Sequence, residues 1–194
     1  MSLTNLQLIL IALLFLCLAS FTWATRKFFV KPDGMTTGLS ITLGTGFVFS
    51  IVHFVVLFRT PGIQPRWAAA AAALYLAALA LFWWTFAANR RRPLSACFSK
   101  TEHLHLVQHG PYRFVRHPFY CSYLLSWLAG AVGTLNPMLF LTFFAMLTLY
   151  WTAARNEEGK FAASALAKEY SVYRSSTGRF VPRPVRFLSH RRSQ

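Results

Sequence analysis

The sequence predicts an all-α, polytopic membrane protein with about five transmembrane helices, the last two forming a short hairpin. Three observations predict it. Hydrophobic residues make up 55% of the 194 and charged residues only 13%, against about 45–50% and about 25% in soluble domains. The apolar residues fall in long runs, most of them near the roughly 20 residues a helix needs to cross a bilayer. The Lys and Arg residues gather between the runs.

The first run covers about 6–23. It reads as a span and not as a removable leader, because residues 1–16 hold no Lys or Arg and no small-residue cleavage site precedes a soluble domain. The second run covers about 39–58, and the third, with an alanine-rich start, about 67–88. The fourth runs over about 119–133. Asn136 and Pro137 then make a turn, and the fifth runs over about 138–153. The last two are short for a crossing and are expected to pair as a tight hairpin. The chain reads as one membrane domain, 1–194. Residues 1–88 supply three spans, 89–182 a loop, the hairpin and a C-terminal helix, and 183–194 a basic tail.

The formal charge is +15. A basic excess of this size is also a signature of nucleic-acid binding, but here the cations are spread between apolar runs. Five crossings with the N-terminus outside put eighteen of the twenty Lys and Arg residues on the cytoplasmic side. Only Arg59 and Arg66 fall on the other, as the positive-inside rule requires. The predicted partner is therefore the bilayer with its anionic head groups, with no nucleic acid; oligomeric state is not legible. Trp23, Trp67, Trp83, Trp84 and Trp151 fall near span ends, as an aromatic belt does. His53 falls inside a span and reads as a neutral histidine bonded to a neighbouring helix. Cys17, Cys97 and Cys121 form no spaced pair and read as free thiols.

The polar residues cluster. The 89–118 loop and the tail from Arg155 hold four of the five acids and five of the six histidines, and both fall on the cytoplasmic side. In GPYRFVRHPFY, 110–120, Gly110 and Pro111 mark a turn. Pro118 disfavours helix at His117 and opens the next helix at its first turn. A helix N-terminus offers free N–H groups and partial positive charge, which with Arg116 and His117 suits a carboxylate or phosphate. Tyr112 and Tyr120 add aromatic faces for a cation or a base. Glu157 and Glu158 follow the fifth span. They either pair with the neighbouring cations or bind an ammonium or ribose hydroxyls. Glu102, His103, His105 and His109 lack the extra ligands of a tetrahedral set, and no metal site is predicted. In 155–173, Phe161, Leu166, Tyr170 and Tyr173 give a helix continuing from the fifth span one apolar face.

GPYRFVRHPFY, then Asn136-Pro137, then RNEE at 155–158, then EYSVYRSSTGRFVP at 169–182 resemble the integral-membrane methyltransferases. That group includes the isoprenylcysteine carboxyl methyltransferases and the phospholipid N-methyltransferases. The resemblance covers about 105–182, some two-fifths of the chain; the first three spans carry no recognisable motif. It implies S-adenosylmethionine (SAM) bound at the cytoplasmic face and a lipophilic methyl acceptor. By that resemblance His117, Tyr120 and Glu158 contact the cofactor. Gly110, Tyr112, Val115, Pro118 and Glu157 line its pocket, and Arg116 and Arg174, with Glu158, serve the reaction. The family pattern usually places glycine where this chain has Ser122.

Two other readings stand beside this one. Sterol reductases, which use NADPH, resemble the chain around RHPxY and in a Tyr-containing tail; the Glu157–Glu158 pair and the STGRFVP ending favour the methyltransferase. A non-catalytic membrane scaffold is the other.

Overall fold

The structure is a computed structural model that describes residues 3–27, 37–90 and 105–183. The helices in this part of the chain run in the order α1 (Asn5–Lys27), α2 (Thr37–Arg59), α3 (Pro65–Asn89), α4 (Pro118–Thr134), α5 (Pro137–Ala162) and α6 (Ala167–Ser176). α1, α2, α3 and α5 are long and apolar enough to cross a membrane, and α4 has 17 residues. The protein is an all-α, multi-pass membrane protein.

Local chemistry sets the helix boundaries. Pro65, Pro118 and Pro137 each open a helix, where a missing N–H costs nothing and the fixed φ is already helical. Leu135 closes α4 in the left-handed region at φ 51°, its N–H donating to the Ala131 carbonyl. Asn136 then caps α5 by accepting from the Met138 N–H at 2.9 Å. The hairpin of α4 and α5 is therefore tight, as expected.

α5 is 26 residues long. Its apolar run stops near 153, and the helix continues past Arg155 to Ala162 as expected, because Arg, Glu and Lys are good helix formers. The continuation then ends earlier than the 155–173 pattern implies. Ser164 accepts from the Leu166 N–H at 3.1 Å and donates to the Phe161 carbonyl at 2.9 Å, and this turn makes α6 a separate helix.

The core lies along α3 and α4, the most extensively packed pair. Ala68, Ala71, Tyr75, Ala78, Phe82, Thr85 and Asn89 recur every three or four residues on the buried face of α3. Small side chains let the backbones close in. A Cβ at Gly133 of α4 would sit 2.9 Å from the Ala71 Cβ. Leu10, Leu14 and Cys17 of α1 complete this core, and Ala24, Phe82 and Phe119 extend it towards the site. Gln7 of α1 donates to the carbonyls of Leu57, Phe58 and Thr60, which fastens the end of α2.

Trp23, Trp83, Trp84 and Trp151 are exposed and Trp67 is half-buried. Cys17 and Cys121 are free; Cys97, Glu102 and His103, and most of the basic tail, lie outside the described residues. Ser122, at the usual glycine position, is fully buried and donates to its own helix at the Phe119 carbonyl, 2.7 Å away.

Candidate functional site

The site forms where α4 begins, α5 ends, and the chain after α6 returns. Gly110 adopts φ +60° and opens a single 3-10 turn over Gly110–Arg113. A Cβ there would also press on Ala88 at 3.1 Å. The segment then runs extended beside the tail. The Arg116 N–H donates to the Gly178 carbonyl at 2.8 Å, and the His117 N–H to the Arg179 carbonyl at 3.2 Å. Val115 and Gly178 form the bridge between the two strands of chain. Only glycine fits at 178, because a Cβ would lie 1.6 Å from the Val181 carbonyl oxygen.

Two adjacent residues at the end of α5 meet this junction. Glu158 is buried and faces three basic side chains. Arg116 donates through Nε at 3.0 Å and lies within 3.0 Å through Nη2. Arg179 donates through Nε at 3.0 Å and through Nη2 at 2.7 Å. His117 Nε2 lies 3.2 Å away. Glu157 takes the other imidazole nitrogen, Nδ1, at 3.2 Å, and accepts from the Tyr120 hydroxyl at 2.7 Å.

His117 thus has a carboxylate oxygen at each ring nitrogen. Both nitrogens must donate, so the ring is an imidazolium. Burial alone would push its pKa down, but the hydrogen bonds and charges of Glu157 and Glu158 prevail and hold it above the ordinary histidine value. Arg179 is likewise held further up by its hydrogen bonds to Glu158.

Oε1 of Glu158 is crowded. It faces Arg116 Nε and Nη2, His117 Nε2 and Arg179 Nε, more donors than the two lone pairs of one oxygen can satisfy. Oε2 accepts from Arg179 Nη2. Arg179 is the most exposed of the three, at 17%. Arg116 is fixed, since its Nη1 also donates to the Thr177 and Arg174 carbonyls.

An aromatic wall stands beside the charges. Tyr120 stacks on His117 and on Tyr150, with centroids 5.6 and 5.2 Å apart. Phe180 meets His117 and Tyr120 edge-on. The Arg179 guanidinium lies 4.3 Å from the Trp151 ring centroid.

A model of the phospholipid methyltransferase family matches residues 67–169, from the start of α3 into α6. The chain belongs to this family. Within the match lie the 110–120 segment, the α4–α5 hairpin and both glutamates. α1, α2, Gly178 and Arg179 lie outside it. The chain is also 31% identical over 81 residues to protein-S-isoprenylcysteine O-methyltransferase A of Arabidopsis thaliana, an alignment spanning 42% of this chain and 41% of that protein.

The structure brings Arg116, His117, Tyr120, Glu157 and Glu158 together. Val115 and Pro118 are buried supports for this segment. Tyr112 is buried: its hydroxyl accepts from Asn89 at 3.0 Å, and its carbonyl from the Tyr173 hydroxyl at 2.8 Å. The apolar face of the tail, with Phe161 stacked on Tyr170 at 5.1 Å, is closed by Tyr173 onto that segment. Arg174 does not join the cluster. Its side chain is exposed, and only its backbone carbonyl reaches Arg116. Sequence reasoning assigned no role to Arg179, although the residue stands in the quoted STGRFVP ending. The signal was Gly178 beside it, a residue that only a close backbone approach explains.

Proposed function

We propose that this protein is a SAM-dependent methyltransferase whose site faces the cytoplasm and whose acceptor is lipophilic and comes from the bilayer. The observation that carries the reading is the meeting of Glu157 and Glu158 with Arg116, His117, Tyr120 and Arg179 at the cationic end of the bundle, in a chain of the phospholipid methyltransferase family.

The residues suit the cofactor's chemistry. Glu157 suits its ammonium and its sulfonium. Arg179, which shares a crowded acceptor, suits its carboxylate. SAM supplies an electrophilic methyl group on a positively charged sulfur. Arg116 and Glu158 hold the junction of tail and α4 rigid, so that ligands meet a fixed surface. Alignment of this kind is worth up to about 10⁵–10⁸ M in effective concentration. Tyr120, Tyr150, Trp151 and Phe180 border that surface on one side.

The charge pattern favours an acceptor carboxylate. A carboxylate needs no base to attack, whereas an ammonium must first lose a proton. His117 donates from both ring nitrogens and is not free to take one. An isoprenylcysteine-type acid fits this requirement, and the name of the Arabidopsis relative agrees with it; a phospholipid amine is the acceptor that the family's description offers instead.

Thermal denaturation of the purified protein in detergent, with SAM, S-adenosylhomocysteine and NADPH in parallel, tests the reading. A ligand at about 100 times its dissociation constant adds roughly 2.7 kcal/mol of apparent stability. Stabilisation by the two adenosyl ligands is expected, and stabilisation by NADPH alone would overturn it. Methyl transfer to farnesylcysteine-type acids but not to phosphatidylethanolamine is the expected acceptor pattern.

A further inference from the structure

Far from the charged cluster, in the opposite half of the bundle, lies a second polar site. His53 of α2, Tyr75 of α3 and Thr142 of α5 meet around Gly130 of α4, and His53 and Tyr75 are fully buried. Sixteen residues of α5 separate Thr142 from Glu158, about 24 Å at 1.5 Å per residue.

The hydrogen bonds place a proton on Nε2 of the imidazole. The Thr142 hydroxyl donates to the Leu139 carbonyl at 2.8 Å. Its oxygen lies 2.8 Å from His53 Nε2, so it accepts there, and Nε2 carries the proton. A neutral ring then leaves Nδ1 as a bare acceptor. Nδ1 has no partner, and neither has the Tyr75 hydroxyl. Both groups crowd the same point: a Cβ built on Gly130 would lie 2.4 Å from Nδ1 and 3.3 Å from the Tyr75 oxygen. The two atoms are therefore less than about 6 Å apart, which two hydrogen bonds through one small molecule span.

We propose that a single water molecule binds here, donating one proton to His53 Nδ1 and accepting the Tyr75 hydroxyl proton. Buried polar atoms in proteins are commonly satisfied in this way, by a water with two to four polar partners. The water joins α2 to α3, and His53 joins α2 to α5 through Thr142. This matters most for α2, whose span is 11% buried against 33% for α1, α3 and α5, so that few apolar contacts set its position. Gly130 lets the imidazole pack this close to α4, since any larger residue would drive into His53. The site is independent of the methyl-transfer reading.

Nitrogen NMR of histidine-labelled protein in nanodiscs tests this, with the His53 signals assigned by their loss in His53→Gln. The expected result is a neutral, Nε2-protonated ring whose Nδ1 correlates with a water proton. That correlation should weaken in Tyr75→Phe, which keeps the ring's shape and removes only the hydroxyl. An Nδ1-protonated ring, an Nδ1 without a water correlation, or an Nδ1 bonded directly to the Tyr75 hydroxyl would each overturn the proposal.

Discussion

Arg179 holds Glu158 through two hydrogen bonds, Nε to Oε1 at 3.0 Å and Nη2 to Oε2 at 2.7 Å, while the same guanidinium lies over Trp151. Nothing in the linear sequence sets these residues side by side. The pairing ties the chain after α6 to the end of α5. Arg179 is also the most exposed of the three cations around Glu158.

Arg179→Lys should break this geometry while keeping the charge. A lysine offers no planar fork and stacks poorly on an indole. We expect SAM affinity to fall about tenfold, equivalent to about 1.4 kcal/mol, with the protein still folded. Arg174→Ala, which removes only an exposed side chain, should change affinity less than twofold. Calorimetric titration of both variants makes the comparison, and equal losses would show that Arg179 has no special place in the site.

Glu158→Gln should act first on stability. It removes the one anion that three buried or half-buried cations share, and breaking a buried charge network by removing one member costs about 3–5 kcal/mol. A denaturation midpoint in detergent that hardly moves would contradict the geometry. In protein that remains folded, SAM binding should weaken by about 1.5–3 kcal/mol, the range for a charged hydrogen bond.

The pH dependence follows from His117. Its folded pKa is raised above the ordinary value of 6.5, so the folded state holds the proton more tightly than the unfolded state does. The resulting stabilisation is complete below pH 6.5 and is lost as pH rises through the folded value. The melting-temperature gap between the wild-type protein and His117→Gln should therefore narrow at alkaline pH. A gap that widens with pH would reverse the assignment.

Gly178→Ala should release the tail. The added methyl collides with the Val181 carbonyl at 1.6 Å, and the backbone must move to admit it. Limited proteolysis should then cut between α6 and residue 183 faster than in the wild-type protein, with the spans intact.

Ser122→Gly, which restores the family's usual residue, should not stabilise the protein. The hydroxyl is already satisfied at the Phe119 carbonyl, and glycine inside a helix costs about 0.5–1 kcal/mol. A thermal shift measures the change.

Much of the fold was legible because the bilayer imposes it. Apolar runs near 6–23, 39–58 and 67–88 had to become helices, since lipid offers backbone groups no other partner. That α5 runs on beyond its apolar stretch was legible in the helical pattern of 155–173, but its end at Ala162 was not. The turn there rests on the Ser164 hydroxyl bonding to the Phe161 carbonyl and the Leu166 N–H, which the apolar period does not mark. Arg116, His117, Tyr120 and the two glutamates were legible as a site because polar residues are few and recur in one motif order. The expected places of Tyr112, lining the pocket, and Arg174, serving the reaction, come from the family resemblance alone; the structure bonds the Tyr112 hydroxyl to Asn89 and leaves the Arg174 side chain exposed.

The sequence by itself determined the class of this protein: its helices, its cationic face, and the family to which its central motifs belong. Those properties follow from composition, period and residue order, which need no long-range contact to be read. Only the tertiary structure decided which cation grips which carboxylate and why glycine stands at 178. It alone decided that His53 and Tyr75 face one point across two helices. The ion pairs and the His53–Tyr75 approach are relations between residues about 20 to 40 positions apart, fixed by how the helices pack, and packing is a property of the assembled bundle rather than of any segment within it; the clash at 178 is local but depends on the turn the tail takes there.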